Sequence, residues 1–119
     1  MMRPSDALSN IYVCVVPVDF RKGINGLAIL VESQLALDPF SEQLFVFRNR
    51  RCDKVKILYW ERSGFCLWQK RLEQARFCWP NTDQKNGATL TGQQLNWLLD
   101  GYDINQLKEH KSLCFSSVL

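Results

Sequence analysis

Short runs of β-branched and aromatic residues follow one another closely in the middle of the chain, and this pattern limits the folds that it can adopt. Leu44–Arg48, Lys54–Trp60, Phe65–Arg71 and Arg76–Trp79 each have strand-like composition. Only a few residues separate one run from the next, which favours antiparallel pairing of neighbouring strands in a meander.

One further strand and two helices are predicted around this meander. Ile11–Val16 reads as a strand, and Lys22–Leu35 carries apolar residues at helical spacing, with Asp19 as its candidate N-cap. Thr91–Asp100 begins with a capping box, and Gly101 follows it where a C-terminal glycine belongs. The predicted fold class is α+β: an antiparallel sheet of about five strands, with a helix after the first strand and a helix near the C-terminus.

The length of 119 residues indicates one domain. Apolar residues make up 46% of the chain and charged residues 23%, which is ordinary for a globular protein and argues against general disorder. We predict a flexible lead-in over residues 1–10, a single α+β domain over 11–105 and a variable tail over 106–119.

Apolar stretches in this chain are short. None resembles a signal peptide or approaches the roughly 20 residues of a membrane span, so we expect a cytoplasmic protein with no membrane partner. The five cysteines include no C-x-x-C pair, and there is one histidine. Buried or idle thiols in a reducing compartment are expected, and no metal or other cofactor is predicted.

Positive charge is concentrated in one quarter of the chain. Residues 48–76 contain nine arginines and lysines against three acids, whereas residues 1–47 contain three against five. Such asymmetry indicates a polyanionic partner. The residues predicted to contact nucleic-acid phosphates are Arg48, Arg50, Arg51, Lys54, Lys56, Lys70, Arg71 and Arg76.

The simplest hairpin registers gather part of this charge into one row. Pairing the two long strands symmetrically about their turn places Lys54 opposite Arg71, and the preceding hairpin places Arg48 opposite Lys54. Arg76 then lies beside Arg71. Like charges directly across a ladder are destabilising, and bound phosphates would offset that repulsion. A solvated hairpin rim is the alternative interpretation of the same charges.

The same registers divide the apolar side chains between two faces. One face is predicted to carry a candidate protein-interaction surface, formed by Leu58, Trp60, Phe65 and Leu67. The other face is predicted to be the core side against the first helix, formed by Phe45, Phe47, Val55, Ile57, Tyr59, Trp68, Phe77 and Trp79.

The acidic residues form no recognisable catalytic motif. Asp19, Asp38, Asp53 and Glu61 are the candidates for a metal-dependent nuclease, but capping or turn formation explains each of them. No nucleophile motif or Gly-rich phosphate loop is present. We therefore predict that the protein is not an enzyme and keep the nuclease as the weakest alternative.

Several sequence blocks, in the same order, resemble the small TnpB-type accessory protein of insertion-sequence-66 elements, which are bacterial transposons. These blocks are Val18–Leu27, Asp38–Ser41, Leu44–Arg51, Lys54–Trp60, Gly64–Glu73 and Phe77–Pro80. The resemblance implies a role beside a separate, larger transposase and supplies no catalytic residue. Members of the family often carry glycine where this chain has Cys52, and the tail from Lys108 onward differs from the family ending.

The resemblance and the charge pattern together predict a non-catalytic accessory protein that supports transposition and binds duplex DNA through a basic β-hairpin edge. Strong sequence preference is not expected, because no helix suited to base recognition is evident. The alternative is a protein–protein adaptor that docks on the transposase of the same element through the Leu58, Trp60, Phe65 and Leu67 surface.

Overall fold

The computed structural model of the protein describes residues 10–81 and 87–109. Its helices and strands, in chain order, are β1 (Ile11–Val13), α1 (Ile24–Ser33), β2 (Phe45–Arg48), β3 (Lys54–Glu61), β4 (Gly64–Arg71), β5 (Ala88–Leu90), α2 (Gly92–Leu99) and α3 (Ile104–Glu109). The strands form one five-stranded sheet in the order β4-β3-β2-β1-β5. Nearly all of the predicted lead-in and most of the predicted tail lie outside the described residues.

β1 and β2 are adjacent and parallel, so the sheet is mixed and the prediction of a purely antiparallel sheet is wrong. Tyr12 lies beside Phe45, and Val13 lies beside Val46. The connection between the two strands contains α1, and a connection of this length allows the second strand to run in the same direction as the first. The carboxyl ends of β1 and β2 therefore meet at one edge of the sheet.

The meander of β2, β3 and β4 is antiparallel, as predicted. In the long β3–β4 hairpin, Trp60 pairs with Phe65 and Lys54 pairs with Arg71, which confirms the predicted register. The symmetrical apolar ends of the two strands are sufficient to specify this pairing from the sequence.

The β2–β3 register differs from the prediction by one residue. Arg48 lies opposite Val55 rather than Lys54. The backbone N–H of Asn49 donates to the carbonyl of Lys54 at 3.3 Å, so Asn49 faces Lys54 at this point. A shift of one residue moves side chains to the other face of a sheet, and Arg48 therefore leaves the predicted row.

The fifth strand is β5, and the strand predicted at Arg76–Trp79 is wrong. β5 pairs antiparallel with β1. The backbone N–H of Phe77 donates to the carbonyl of Cys52 at 2.7 Å, and the indole N–H of Trp79 donates to the carbonyl of Cys14 at 2.9 Å. These non-local hydrogen bonds replace the ladder that the strand-like composition of this segment suggested.

Both faces of the sheet are covered by helices. α1 packs over Phe45, Phe47 and Leu58, whereas α2 packs on the opposite face with Val46 and Ile57. The prediction of the core side against the first helix is therefore correct for Phe45 and Phe47 and wrong for the rest. The residues that belong to the opposite core are Val55, Ile57, Tyr59, Trp68, Phe77 and Trp79.

The helix ends match the sequence signals unevenly. α1 begins without a side-chain cap, and the predicted cap Asp19 instead accepts from the backbone N–H of Arg21 at 2.9 Å. The capping box of Thr91 and Gln94 is present at α2, and Gly101 adopts a φ of 93° after it, as predicted.

The predicted domain boundary at 105 falls within α3. No helix within 10–81 and 87–109 is long and apolar enough to cross a membrane.

Candidate nucleic-acid interface

The turn between β2 and β3 is organised by the side chain of Asn49. Its Oδ1 accepts from the backbone N–H groups of Asp53 and Lys54, each at 3.1 Å, and its Nδ2 donates to Asp53 Oδ1 at 2.6 Å. This last hydrogen bond holds the pKa of Asp53 below its usual range. The turn is thus closed by its own polar groups, and it presents Arg50 and Arg51 to solvent.

Cys52 adopts the left-handed conformation in this turn, with a φ of 58°. Its Sγ lies 3.4 Å from the carbonyl oxygen of Phe77, and burial raises the pKa of the thiol. A non-glycine residue in this region is strained by about 1 kcal/mol or more. Glycine adopts this conformation without such strain, which is the physical reason to expect it at this position.

Arg48 is tied to the loop that leaves β1, which we call the crossover loop (residues 14–23). Its guanidinium donates through Nε and Nη2 to the carbonyl of Val15 at 3.3 and 3.2 Å. The backbone N–H of Val18 donates in turn to the carbonyl of Arg48 at 2.9 Å. Arg48 therefore joins two chain segments, and its donors are directed at the protein itself.

Lys56 is buried beneath the same loop, with 7% of its surface exposed. Its Nζ donates to the carbonyls of Phe20 and Lys22, both at 2.9 Å, and lies 4.8 Å from the centre of the Phe20 ring. Burial is the main cause that lowers the pKa of this lysine. Lys56 is therefore not available for direct phosphate contact, contrary to the prediction from sequence.

Lys70 and Arg71 are consecutive residues of β4 and point to opposite faces. Lys70 Nζ donates to the carbonyl of Leu99 at 2.7 Å, at the C-terminal end of α2, where a cation is favourable. Arg71 lies on the face of Lys54 and is paired with Glu73 at 3.0 Å, both side chains being exposed. The structure thus separates Lys70 from the predicted group.

Five of the eight predicted cations belong to the β2–β3 turn, to the ends of β3 and β4 beside it, or to the segment after β4 that is hydrogen-bonded to the turn, and we call these the basic edge. They are Arg50, Arg51, Lys54, Arg71 and Arg76. Arg76 lies close to the β2–β3 turn in space, since the backbone of the neighbouring Phe77 is hydrogen-bonded to Cys52 in that turn. The continuous row of four predicted side chains does not form; only its Lys54–Arg71 pair is present.

Arg21 and Lys22 lie next to this edge, since the Val18 N–H of their loop donates to the carbonyl of Arg48, and neither was predicted to contact phosphates. They belong to the crossover loop and are both exposed. Arg21 Nη2 contacts Asp19 Oδ2 at 2.6 Å, and this hydrogen bond lowers the pKa of Asp19 to about 2. A prediction that β1 and β2 are parallel would have placed this loop beside Arg50, because parallel strands end at the same edge of the sheet.

The opposite end of the β3–β4 hairpin carries three aromatic rings in mutual contact, which we call the aromatic cluster: Phe40, Trp60 and Phe65. Their ring centres are 5.0 to 5.3 Å apart. Phe40, which was not part of the predicted interaction surface, is 54% exposed. Of the predicted interaction surface, Leu58 is fully buried under α1, and Trp60, Phe65 and Leu67 are half-buried.

A family model described as "IS66 Orf2 like protein" matches residues 9–109. The chain is 41% identical over 109 residues to "Uncharacterized protein y4jC" of Sinorhizobium fredii (strain NBRC 101917 / NGR234), covering 91% of each chain. It is 36% identical over 103 residues to "Uncharacterized protein y4hO" of the same strain, covering 86% of this chain and 88% of the relative. No solved structure matches the chain.

Proposed function

The chain belongs to the IS66 Orf2-like family of transposition-associated proteins, and we propose that it supports transposition as a non-catalytic accessory protein that binds duplex DNA. The basic edge is the proposed contact surface. The observation that carries the proposal is an excess of positive charge at this edge, where five cations face the two carboxylates of Asp53 and Glu73. Glu73 is paired with Arg71, and Asp53 accepts from the neutral amide of Asn49 and keeps its charge, so the cations still outnumber the carboxylates.

Electrostatics within the hairpin support an anionic ligand at this edge. Lys54 and Arg71 lie directly across the ladder from each other, an arrangement that costs free energy when both are charged. The exposed ion pair of Arg71 with Glu73 at 3.0 Å offsets only part of this cost. Arg50 and Arg51 add two further charges from the adjoining turn. A phosphate backbone would offset this repulsion and would gain free energy from the release of condensed counterions.

The proposed binding is largely independent of base sequence. α1 and α2 contain no arginine or lysine, so neither resembles a recognition helix that enters the major groove. Turns that present arginines to phosphates position a protein on the duplex without reading its bases.

The test is a titration of duplex DNA with the purified protein over a range of salt concentrations. The affinity should fall steeply with salt, and Arg50→Ala or Arg51→Ala should each reduce the slope of log affinity against log salt by about 1. Arg62→Ala is the matched control, because Arg62 is an exposed arginine in the turn between β3 and β4.

Two outcomes of this titration would contradict the proposal. One is an absence of binding at low salt. The other is an equal loss of slope in Arg62→Ala, which would indicate a general charge effect and not a defined surface. Adding magnesium or manganese tests the non-catalytic part: DNA cleavage that disappears in Asp53→Asn would identify a nuclease instead.

The second candidate function is that of an adaptor on the transposase of the same element, and the exposed ring of Phe40 is the observation that favours it. Aromatic side chains with partly exposed faces are common anchors of protein interfaces. An adaptor should co-purify with the transposase, and Phe40→Ala should abolish the association. Tyr102→Ala, which removes another exposed ring, is the control.

A further inference from the structure

We infer that the crossover loop is a second DNA-binding segment, in which Arg21 and Lys22 contact phosphates and Lys56 holds the loop in the binding geometry. This inference rests on the proposed function and extends it to residues outside the basic edge.

The position of the loop follows from the parallel pairing of β1 and β2. Both strands end at the same edge of the sheet, so the loop after β1 and the turn after β2 begin next to each other at that edge. The hydrogen bond from the Val18 N–H to the carbonyl of Arg48 joins the two segments directly. A DNA strand that lies against the turn is therefore within reach of the loop.

A shared hollow connects the loop with the turn. It has a volume of about 360 Å³ and is lined by Pro17, Val18, Asp19, Phe20 and Arg50. Arg50 is the cation of the basic edge that borders it, and Arg21 directly follows Phe20 in the chain. A phosphate backbone that crosses this hollow would meet Arg50 in its lining and the exposed Arg21 and Lys22 next to it in the chain, and the Asp19 carboxylate in the lining is already paired with Arg21.

The cations of the loop are well exposed. The side chain of Arg21 is 91% exposed, and Lys22 is exposed as well. The acid of the loop, Asp19, is already bound by Arg21 and orients its guanidinium. Arginine is well suited to phosphate contacts because its planar donors match the phosphate oxygens.

Lys56 ties the crossover loop to β3 through its buried ammonium group. It is a buried cation that donates to two carbonyls of this loop, those of Phe20 and Lys22, and lies over the Phe20 ring. An apolar residue at this position would avoid the desolvation of a charge. The lysine is therefore best explained by the loop that it holds, and at 7% exposure it acts through Arg21 and Lys22 rather than on DNA.

The experiment is a double-mutant cycle on the salt slope of DNA binding. In the otherwise unchanged protein, Arg21→Gln with Lys22→Gln should reduce the slope by about 2, on the order of 10²-fold in affinity at ~50 mM salt. Lys56→Met should reduce the slope although its side chain is buried. In the Lys56→Met protein, the Arg21/Lys22 changes should have little further effect, and Lys56→Arg should restore most of the slope.

Hydrogen exchange without DNA provides a second readout. The N–H groups of Val18 and Lys22 donate to the carbonyls of Arg48 and Asp19, at 2.9 and 3.0 Å. Both should exchange faster in Lys56→Met. The N–H of Val18 should exchange at an unchanged rate in Arg21→Gln with Lys22→Gln. Unaltered exchange in Lys56→Met would overturn the positioning role of this lysine.

The two proposals fail in different ways. If the unchanged protein does not bind DNA, the proposed function fails. If it binds DNA through Arg50 and Arg51 but the Arg21/Lys22 variant keeps the full slope, only the present inference is overturned. Additive effects of Lys56→Met and the Arg21/Lys22 changes would likewise refute the positioning role, and the Arg21/Lys22 variant remains decisive if Lys56→Met does not fold.

Discussion

The two ends of the β3–β4 hairpin are stabilised by different interactions. At the basic edge, Asn49 and Lys56 satisfy backbone groups of the turn and the crossover loop through hydrogen bonds. At the other end, the rings of Phe40, Trp60 and Phe65 pack against one another. One hairpin thus presents charge at one end and apolar rings at the other, so each end suits a different class of partner.

The basic edge also shows that a count of cations overestimates the charge available to a ligand. Arg48, Lys56 and Lys70 use their donors on backbone carbonyls of Val15, Phe20 and Leu99. Arg50 and Arg51 extend into solvent. The first group stabilises the arrangement that presents the second group, and the following predictions test this division.

Trp60→Ala should produce the largest change in stability, because it removes the largest of the three mutually contacting rings of the aromatic cluster. We expect the free energy of unfolding to fall by about 2–3 kcal/mol, measured by urea denaturation. The salt slope of DNA binding should stay unchanged under conditions where the variant is folded. A reduced slope would mean that the two ends of the hairpin are not independent.

Lys70→Met and Lys54→Met should have opposite consequences. Lys70 donates to the carbonyl of Leu99 at the end of α2, so its loss should lower the free energy of unfolding by about 1–2 kcal/mol and leave DNA affinity unchanged. Lys54→Met should change stability by less than about 0.5 kcal/mol and weaken DNA binding roughly 10-fold at low salt. Equal DNA defects in the two variants would contradict the division of the cations.

Each end of the hairpin contains a strained turn residue, Cys52 with a φ of 58° and Arg62 with a φ of 54°. Arg62→Gly should stabilise the protein by about 1 kcal/mol, because an exposed side chain leaves little contact to lose. Cys52→Gly should gain less, since its thiol packs against Phe77. Thermal unfolding measures both, with Ser63→Gly as a control at a position without positive φ. A larger gain at Cys52 would contradict this comparison.

The smallest expected effect concerns the pH dependence of the Asp19–Arg21 contact. The pKa of Asp19 is lowered from its ordinary value to about 2, mainly by the hydrogen bond from Arg21. Its contribution to stability is therefore complete above about pH 4 and is lost as the pH falls through about 2. An NMR titration of the Asp19 carboxyl should give this low midpoint, and Arg21→Gln should raise it. A midpoint near 4 in the unchanged protein would show that the contact does not form.

Local signals in the sequence predicted local structure well. The β3–β4 register follows from the apolar residues that flank its turn, and the capping box of Thr91 and Gln94 predicted the start of α2. The β2–β3 register was missed by one residue, because the pairing of Asn49 with Lys54 depends on a polar side chain folding back on its own turn. That difference moved Arg48 out of the predicted row.

The candidate site was predicted only in part. The composition of residues 48–76 correctly indicated Arg50 and Arg51 as exposed cations. It did not separate them from Lys56, which is equally basic and is buried. The exposure of a side chain depends on which element covers that face of the sheet. The residues around Lys56 do not indicate that the crossover loop covers it, because that loop lies more than 30 residues earlier in the chain.

The amino-acid sequence was sufficient to identify the family, to predict the long hairpin and the start of α2, and to locate the segment in which positive charge is concentrated. The direction of β2 relative to β1 and the inward or outward orientation of each cation depend on pairing between segments far apart in the chain. Such pairing is selected by the burial of two sheet faces at once, so local patterns do not specify it.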